Sequence, residues 1–117
     1  MASAPPTHTP LNGSLGFRRQ EKPTGLAAVA CSYAHVDVKI GRAVVGILVP
    51  PSARSLGGQD QWCCRLMVRR QPTPQDPAPF KWVTLRARKN TENEMRAWLG
   101  CVWTEIRTMY DLYPRMD

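Results

Sequence analysis

The segment TENEMRAWLGCVWTEIRTMYDLYP, residues 91–114, decides how the rest of the chain is read. It opens with Thr91 three residues ahead of Glu94. At that spacing the threonine hydroxyl can accept from the Glu94 amide while the glutamate side chain reaches back, which satisfies amides that a helix start leaves unbonded. Glu92 and Glu94 also suit the positive end of the helix dipole. Met95, Trp98, Leu99, Val102, Trp103, Ile106, Met109, Tyr110 and Tyr113 then recur at steps of three and four, forming one broad apolar stripe. Pro114 cannot continue the helix. The spacing predicts a helix over about 92–113, roughly 33 Å long at about 1.5 Å per residue. Such a stripe must be buried against a second layer.

That layer lies upstream. His35-Val-Asp-Val-Lys-Ile40 alternates, with Val36, Val38 and Ile40 on one face, and predicts a half-buried strand over 34–40. Gly41-Arg42 suits a type II′ hairpin, because glycine accepts positive φ at its first central position. Ala43 to Val49 is apolar on both faces and gives a second strand, with Gly46 as the candidate bulge. Pro50-Pro51 ends it. A polar loop containing Gly57-Gly58 leads to a third strand over 61–70, with Trp62, Cys64, Leu66 and Val68 on one face and Cys63, Arg65, Met67 and Arg69 on the other. Four prolines make 71–79 a loop. A fourth strand over 80–89 sets Val83, Leu85 and Ala87 against Phe80, Trp82, Thr84, Arg86 and Arg88. The expected fold class is α+β: a four-stranded antiparallel meander, β-β-β-β, packed on one face by a long C-terminal amphipathic helix. Residues 1–24, rich in Pro and Gly, read as a flexible tail, and 25–117 as a single domain. In the tail, Phe17, Arg18 and Arg19 are the one sticky element.

Several function classes are poorly supported. No Gly-rich phosphate loop, nucleophile elbow or H-E-x-x-H occurs, so no enzyme and no cofactor are expected. Cys31, Cys63, Cys64 and Cys101 form no C-x-x-C pair, and the adjacent Cys63 and Cys64 point to opposite strand faces, so no metal site is expected. His35 and Asp37 share a strand face and can touch; a solvated surface pair is the expectation. The short apolar run Leu26 to Cys31 sits behind a polar, Pro-rich lead and does not read as a lipoprotein cleavage site. No stretch approaches the ~20 apolar residues of a membrane span, and a cytoplasmic location is expected.

Charge is unevenly spread. The 117 residues carry a net +7, and twelve of the sixteen cations are arginine. Between Gln61 and Asn90, Arg65, Arg69, Arg70, Lys81, Arg86, Arg88 and Lys89 stand against Asp76 alone, a net +6. Between Glu92 and Asp111, two arginines stand against four carboxylates, a net −2. Alternation places Arg65, Arg69, Arg86 and Arg88 with Phe80 and Trp82 on the face the helix leaves open. Rings offer bases a stacking surface and arginines track phosphates. The reading is a non-enzymatic single-stranded nucleic-acid-binding domain using Arg65, Arg69, Arg70, Phe80, Trp82, Arg86, Arg88 and Lys89. The element order over 34–113 is similar to that of small single-stranded-DNA-binding coactivator-type domains, which dimerise and use a curved basic sheet; the similarity is one of order alone and carries no residue roles.

The alternative is a protein-interaction module, such as a phage- or plasmid-encoded inhibitor or assembly factor that binds a larger protein complex. Val44 and Leu48 are expected on the open face beside the arginines. An apolar patch there needs a cover, from the tail with Phe17, Arg18 and Arg19, from a second copy in a homodimer, or from another partner.

Overall fold

His35–Ile40 (β2) and Ala43–Val49 (β3) form the expected hairpin, with Ile40 opposite Ala43 across a two-residue turn. Gly41 has φ +58° and Arg42 does not have positive φ, as a type II′ turn requires. In this computed structural model, residues 13–20, 35–51 and 61–116 are described. The expected tail over 1–12, the Leu26–Cys31 run and the Gly57-Gly58 loop lie outside them. Cys63–Arg69 (β4) and Phe80–Thr84 (β5) complete the predicted set, and Glu92–Met109 forms the helix α1.

Two strands were not expected. Leu15–Gln20 (β1), within the span assigned to the tail, pairs antiparallel with β2, and Arg115–Met116 (β6) pairs with the start of β3. The sheet is therefore a five-stranded antiparallel meander in the order β1-β2-β3-β4-β5, with β6 beside β3, rather than four-stranded. β1 holds its place through both faces. Leu15 and Phe17 pack on the core, while Arg18 and Gln20 donate to Asp37 on the other side.

A bulge decides which residues enter the core. Val38 pairs with Gly46, but Lys39 pairs with Val44, so Val45 is one residue too many. The insertion reverses the alternation beyond it. Val45 and Leu48 join the helix-facing core with Val36, Val38, Ile40, Cys64, Leu66, Met95, Leu99, Trp103 and Ile106, whereas Ile47 and Val49 pack with Cys63 and Trp82 on the second face. Leu48 is thus a core residue and not a surface candidate, and Val44 is buried as well. The site of the bulge explains Gly46: no side chain fits there, because a Cβ would press on the Arg65 backbone oxygen and come within 2.8 Å of Leu66 Cδ2.

The helix starts where its sequence directs. Thr91 Oγ1 accepts from the Glu94 amide at 3.1 Å and donates to the Glu94 carboxylate at 3.0 Å. It ends earlier than the stripe predicts. Tyr110 is extended, with φ −118° and ψ 134°, and its amide makes the last helical bond, to Ile106 O. The chain then turns onto the sheet. Asp111 O accepts from the Arg69 amide at 2.7 Å, Leu112 bridges Val68, and the Tyr113 amide donates to Met67 O at 2.9 Å. The segment is antiparallel to β4 at Leu112 and antiparallel to β3 at Arg115. Because β3 and β4 are themselves antiparallel, it reverses between these points, at Tyr113-Pro114. β3 and β4 pair only from Gly46/Leu66 to Val49/Cys63. The C-terminal segment occupies the space where they diverge.

Candidate functional site

β5 leaves its register early. The Leu85 amide still donates to Cys64 O at 2.9 Å, and the chain regains the sheet when Lys89 pairs with Trp62. Continued register would put Ala87 opposite Trp62, so two extra residues loop out. Arg88 Nη1 closes that loop on the carbonyls of Leu85 (2.6 Å) and Ala87 (3.1 Å). Arg86, exposed, lines a groove against α1 instead of the second sheet face. The alternation that grouped Arg86 and Arg88 with Trp82 fails because it assumed an unbroken strand to residue 89.

The remaining basic and aromatic candidates do come together. On the second face Arg65 lies over the Trp82 ring at 5.6 Å. Trp82 meets Phe80 edge-on at 6.0 Å, and Phe80 stacks on Tyr113 at 5.2 Å. Arg69 lies over Tyr113 at 5.5 Å. The result is a continuous ladder, Arg65–Trp82–Phe80–Tyr113–Arg69, with a guanidinium at each end and all five residues half-buried. Cation–π contact orients each arginine. Asp111 stands 3.6 Å from Arg69 Nε. The Trp82 Nε1–H is buried and has no acceptor among the described residues. Arg70 is tied to Asp76 in the proline loop, at 2.7 Å. The three- and four-residue spacing continues to Tyr113 and so places it on the helix. Pro114 is the signal against that placement, since a residue before proline avoids the helical region.

The second face is not open at its centre. Ile47 is 0 % exposed, Met67 1 %, His35 2 % and Asp37 4 %. His35 and Asp37 do touch, Nε2 to Oδ1 at 3.1 Å, but as a buried pair rather than a solvated one. Asp37 Oδ2 also accepts from Arg18 Nη2 at 2.8 Å and Gln20 Nε2 at 2.9 Å. These donors satisfy a carboxylate that burial would otherwise destabilise. Phe17, Arg18 and Arg19, expected as a docking element, are engaged within the fold. Arg96 lies 4.9 Å over the Phe17 ring and Arg19 pairs with Glu92.

Among the described residues no group of three or more His, Cys, Asp or Glu side chains could hold a metal ion, and no helix is long and apolar enough to cross a membrane. Comparison with protein-family models, with curated proteins and with solved structures finds no match for the chain.

Proposed function

We propose that this is a non-enzymatic, cytoplasmic nucleic-acid-binding domain whose contact surface is the ring and guanidinium ladder on β4 and β5. The observation that carries the reading is the ladder itself: two arginines held at fixed points by aromatic rings. Ring support keeps each guanidinium extended, so little side-chain freedom is lost when it meets a phosphate. The net +6 between Gln61 and Asn90 supplies the long-range attraction. The rings already pack on each other, so phosphate contacts carry more of this reading than the base stacking expected from the sequence.

The test is titration of tryptophan fluorescence with a single-stranded oligonucleotide at low and raised salt. Binding is expected to weaken with added salt, and Arg65→Ala is expected to reduce the slope of log K against log salt by about one. Arg88→Ala, which removes an arginine tied to its own loop, should change affinity less than Arg65→Ala. Absence of binding at low salt, or binding indifferent to salt, rejects the reading.

A further inference from the structure

The helix stripe is wider than the sheet contact uses. Met95, Leu99, Trp103 and Ile106 are buried under it, while Trp98, Val102 and Met109, the last 72 % exposed, line a groove of about 400 Å³ whose other wall is Leu85 to Ala87. This groove begins at the C-terminal end of β5, where Thr84 joins its lining. The hydrogen-bond pattern shows which way the edge of β5 faces. Arg70 N donates to Pro79 O and Leu85 N to Cys64 O. With the register Arg65↔Thr84 to Arg69↔Phe80, residues 79, 81, 83 and 85 turn their backbone groups to β4. Phe80, Trp82 and Thr84 therefore turn theirs outward. β5 ends the strand order, and no strand among the described residues pairs with its outer side.

We propose that the β5 edge and this groove form a docking site for an extended, acidic-flanked peptide segment of a partner protein, which adds to the sheet as a further strand. Main-chain hydrogen bonds to Phe80, Trp82 and Thr84 supply affinity, and alternate apolar side chains enter the groove against Leu85, Trp98 and Val102. The charge follows from the cations around the edge. Lys81 and Arg86 are exposed at its two ends, Arg88 lies just beyond, and Glu105 is the one carboxylate on the groove wall. Pairing of two copies through β5 would set these cations against each other, which disfavours a second copy as occupant. A segment with apolar residues at alternate positions and carboxylates at both ends complements Lys81 and Arg86. The site uses the backbone of Phe80 and Trp82 and the helix side of β5, not the rings and guanidinium groups of the ladder, so it does not rest on the nucleic-acid reading.

The probe is a fluorescein-labelled peptide, acetyl-Glu-Glu-Val-Thr-Val-Thr-Val-Glu-Glu-amide, followed by anisotropy with the full chain. Saturable binding is expected, with slowed amide exchange at Trp82 and Thr84. Thr84→Pro removes one outward N–H without breaking a β4–β5 bond and should weaken binding roughly tenfold, whereas Thr84→Val keeps the amide and should not. Should Thr84→Pro fail to fold, Arg86→Glu and Val102→Glu serve in its place, each expected to weaken binding by a similar factor. The proposal is overturned if the peptide does not bind, or if it binds with Arg86→Glu and Val102→Glu both at wild-type affinity. Sedimentation showing a dimer that Arg86→Glu strengthens would assign the edge to a second copy and also overturn it. Displacement of the peptide by an oligonucleotide that Arg65→Ala does not affect would assign the edge to nucleic acid instead.

Discussion

Single residues set the faces of this sheet. Gly46 stands beside the Val45 bulge with the Arg65 backbone oxygen and Leu66 against it. Because the obstructing atom is backbone, Gly46→Ala cannot be relieved by a rotamer change. It should cost about 1–3 kcal/mol, read as a lower urea midpoint at unchanged slope; a neutral result would mean that β3 and β4 separate easily at this point. Cys64 makes a second case. Burial pushes its thiol far above the ordinary thiol range, and the adjacent Cys63 sulfur adds to the shift. In the native state Cys64 stays protonated above about pH 9, where the unfolded chain releases its proton. The unfolded state then binds fewer protons, so stability falls as pH rises past that point. The loss in urea midpoint on going above pH 9 should be steeper in the wild type than in Cys64→Ala. Iodoacetamide should modify the exposed Cys101 while Cys64 stays unreacted until the chain unfolds. Equal slopes and early alkylation of Cys64 would show that its strand opens locally.

Elements differ in how local their causes are. Helix α1 carries its own start signal, and Thr91→Ala, which deletes the acceptor for the Glu94 amide, should cost about 1 kcal/mol, with Thr91→Asp recovering most of it. Thermal unfolding followed by circular dichroism at 222 nm reads both. β1 depends on distant partners. Asp37→Asn leaves one neutral amide facing Arg18, Gln20 and His35, so amide exchange over 15–20 should quicken more than over β2 or β4. Uniform acceleration across the sheet would mean that Asp37 supports the whole fold rather than the edge. This contrast explains what was legible in the sequence. The helix cap, the β2–β3 turn and the alternation of β4 act over a few residues and can be read directly. β1 has period-two spacing in Leu15 and Phe17, but it is fixed by Asp37 nineteen residues after Arg18, among glycines and prolines that suggest a tail. The bulge at Val45 exchanged the faces of Ile47 and Leu48, and the loop at 86–88 removed two arginines from the site. Four of the five rungs of the ladder, Arg65, Arg69, Phe80 and Trp82, survive because they lie within unbroken strand. Tyr113 joins them only through the path of the chain after α1.

At the scale of the molecule, the C-terminal segment ties the end of the helix to the sheet. It leaves α1 at Tyr110, bonds to β4 through Asp111 and Tyr113, and reaches β3 through Arg115 and Met116. It also brings Tyr113 onto Phe80 and Arg69 on the second face, while Leu112 is buried in the core on the helix side. One segment therefore touches both faces of the sheet, at the point where β3 and β4 diverge. If it couples the layers, weakening it should lower the stability of the whole chain rather than release the helix alone. Leu112→Ala removes buried apolar volume from a site bounded by strands on both sides, and a loss of about 2–4 kcal/mol is expected. Tryptophan fluorescence reports Trp62 and Trp82 on the sheet and Trp98 and Trp103 on the helix, while far-ultraviolet dichroism at 222 nm is dominated by α1. In the variant the two signals should still change together in urea, with an unchanged slope. Separate transitions, with dichroism lost before fluorescence, would show that α1 is held by its stripe alone, and the ladder would then have to form without the support of Tyr113.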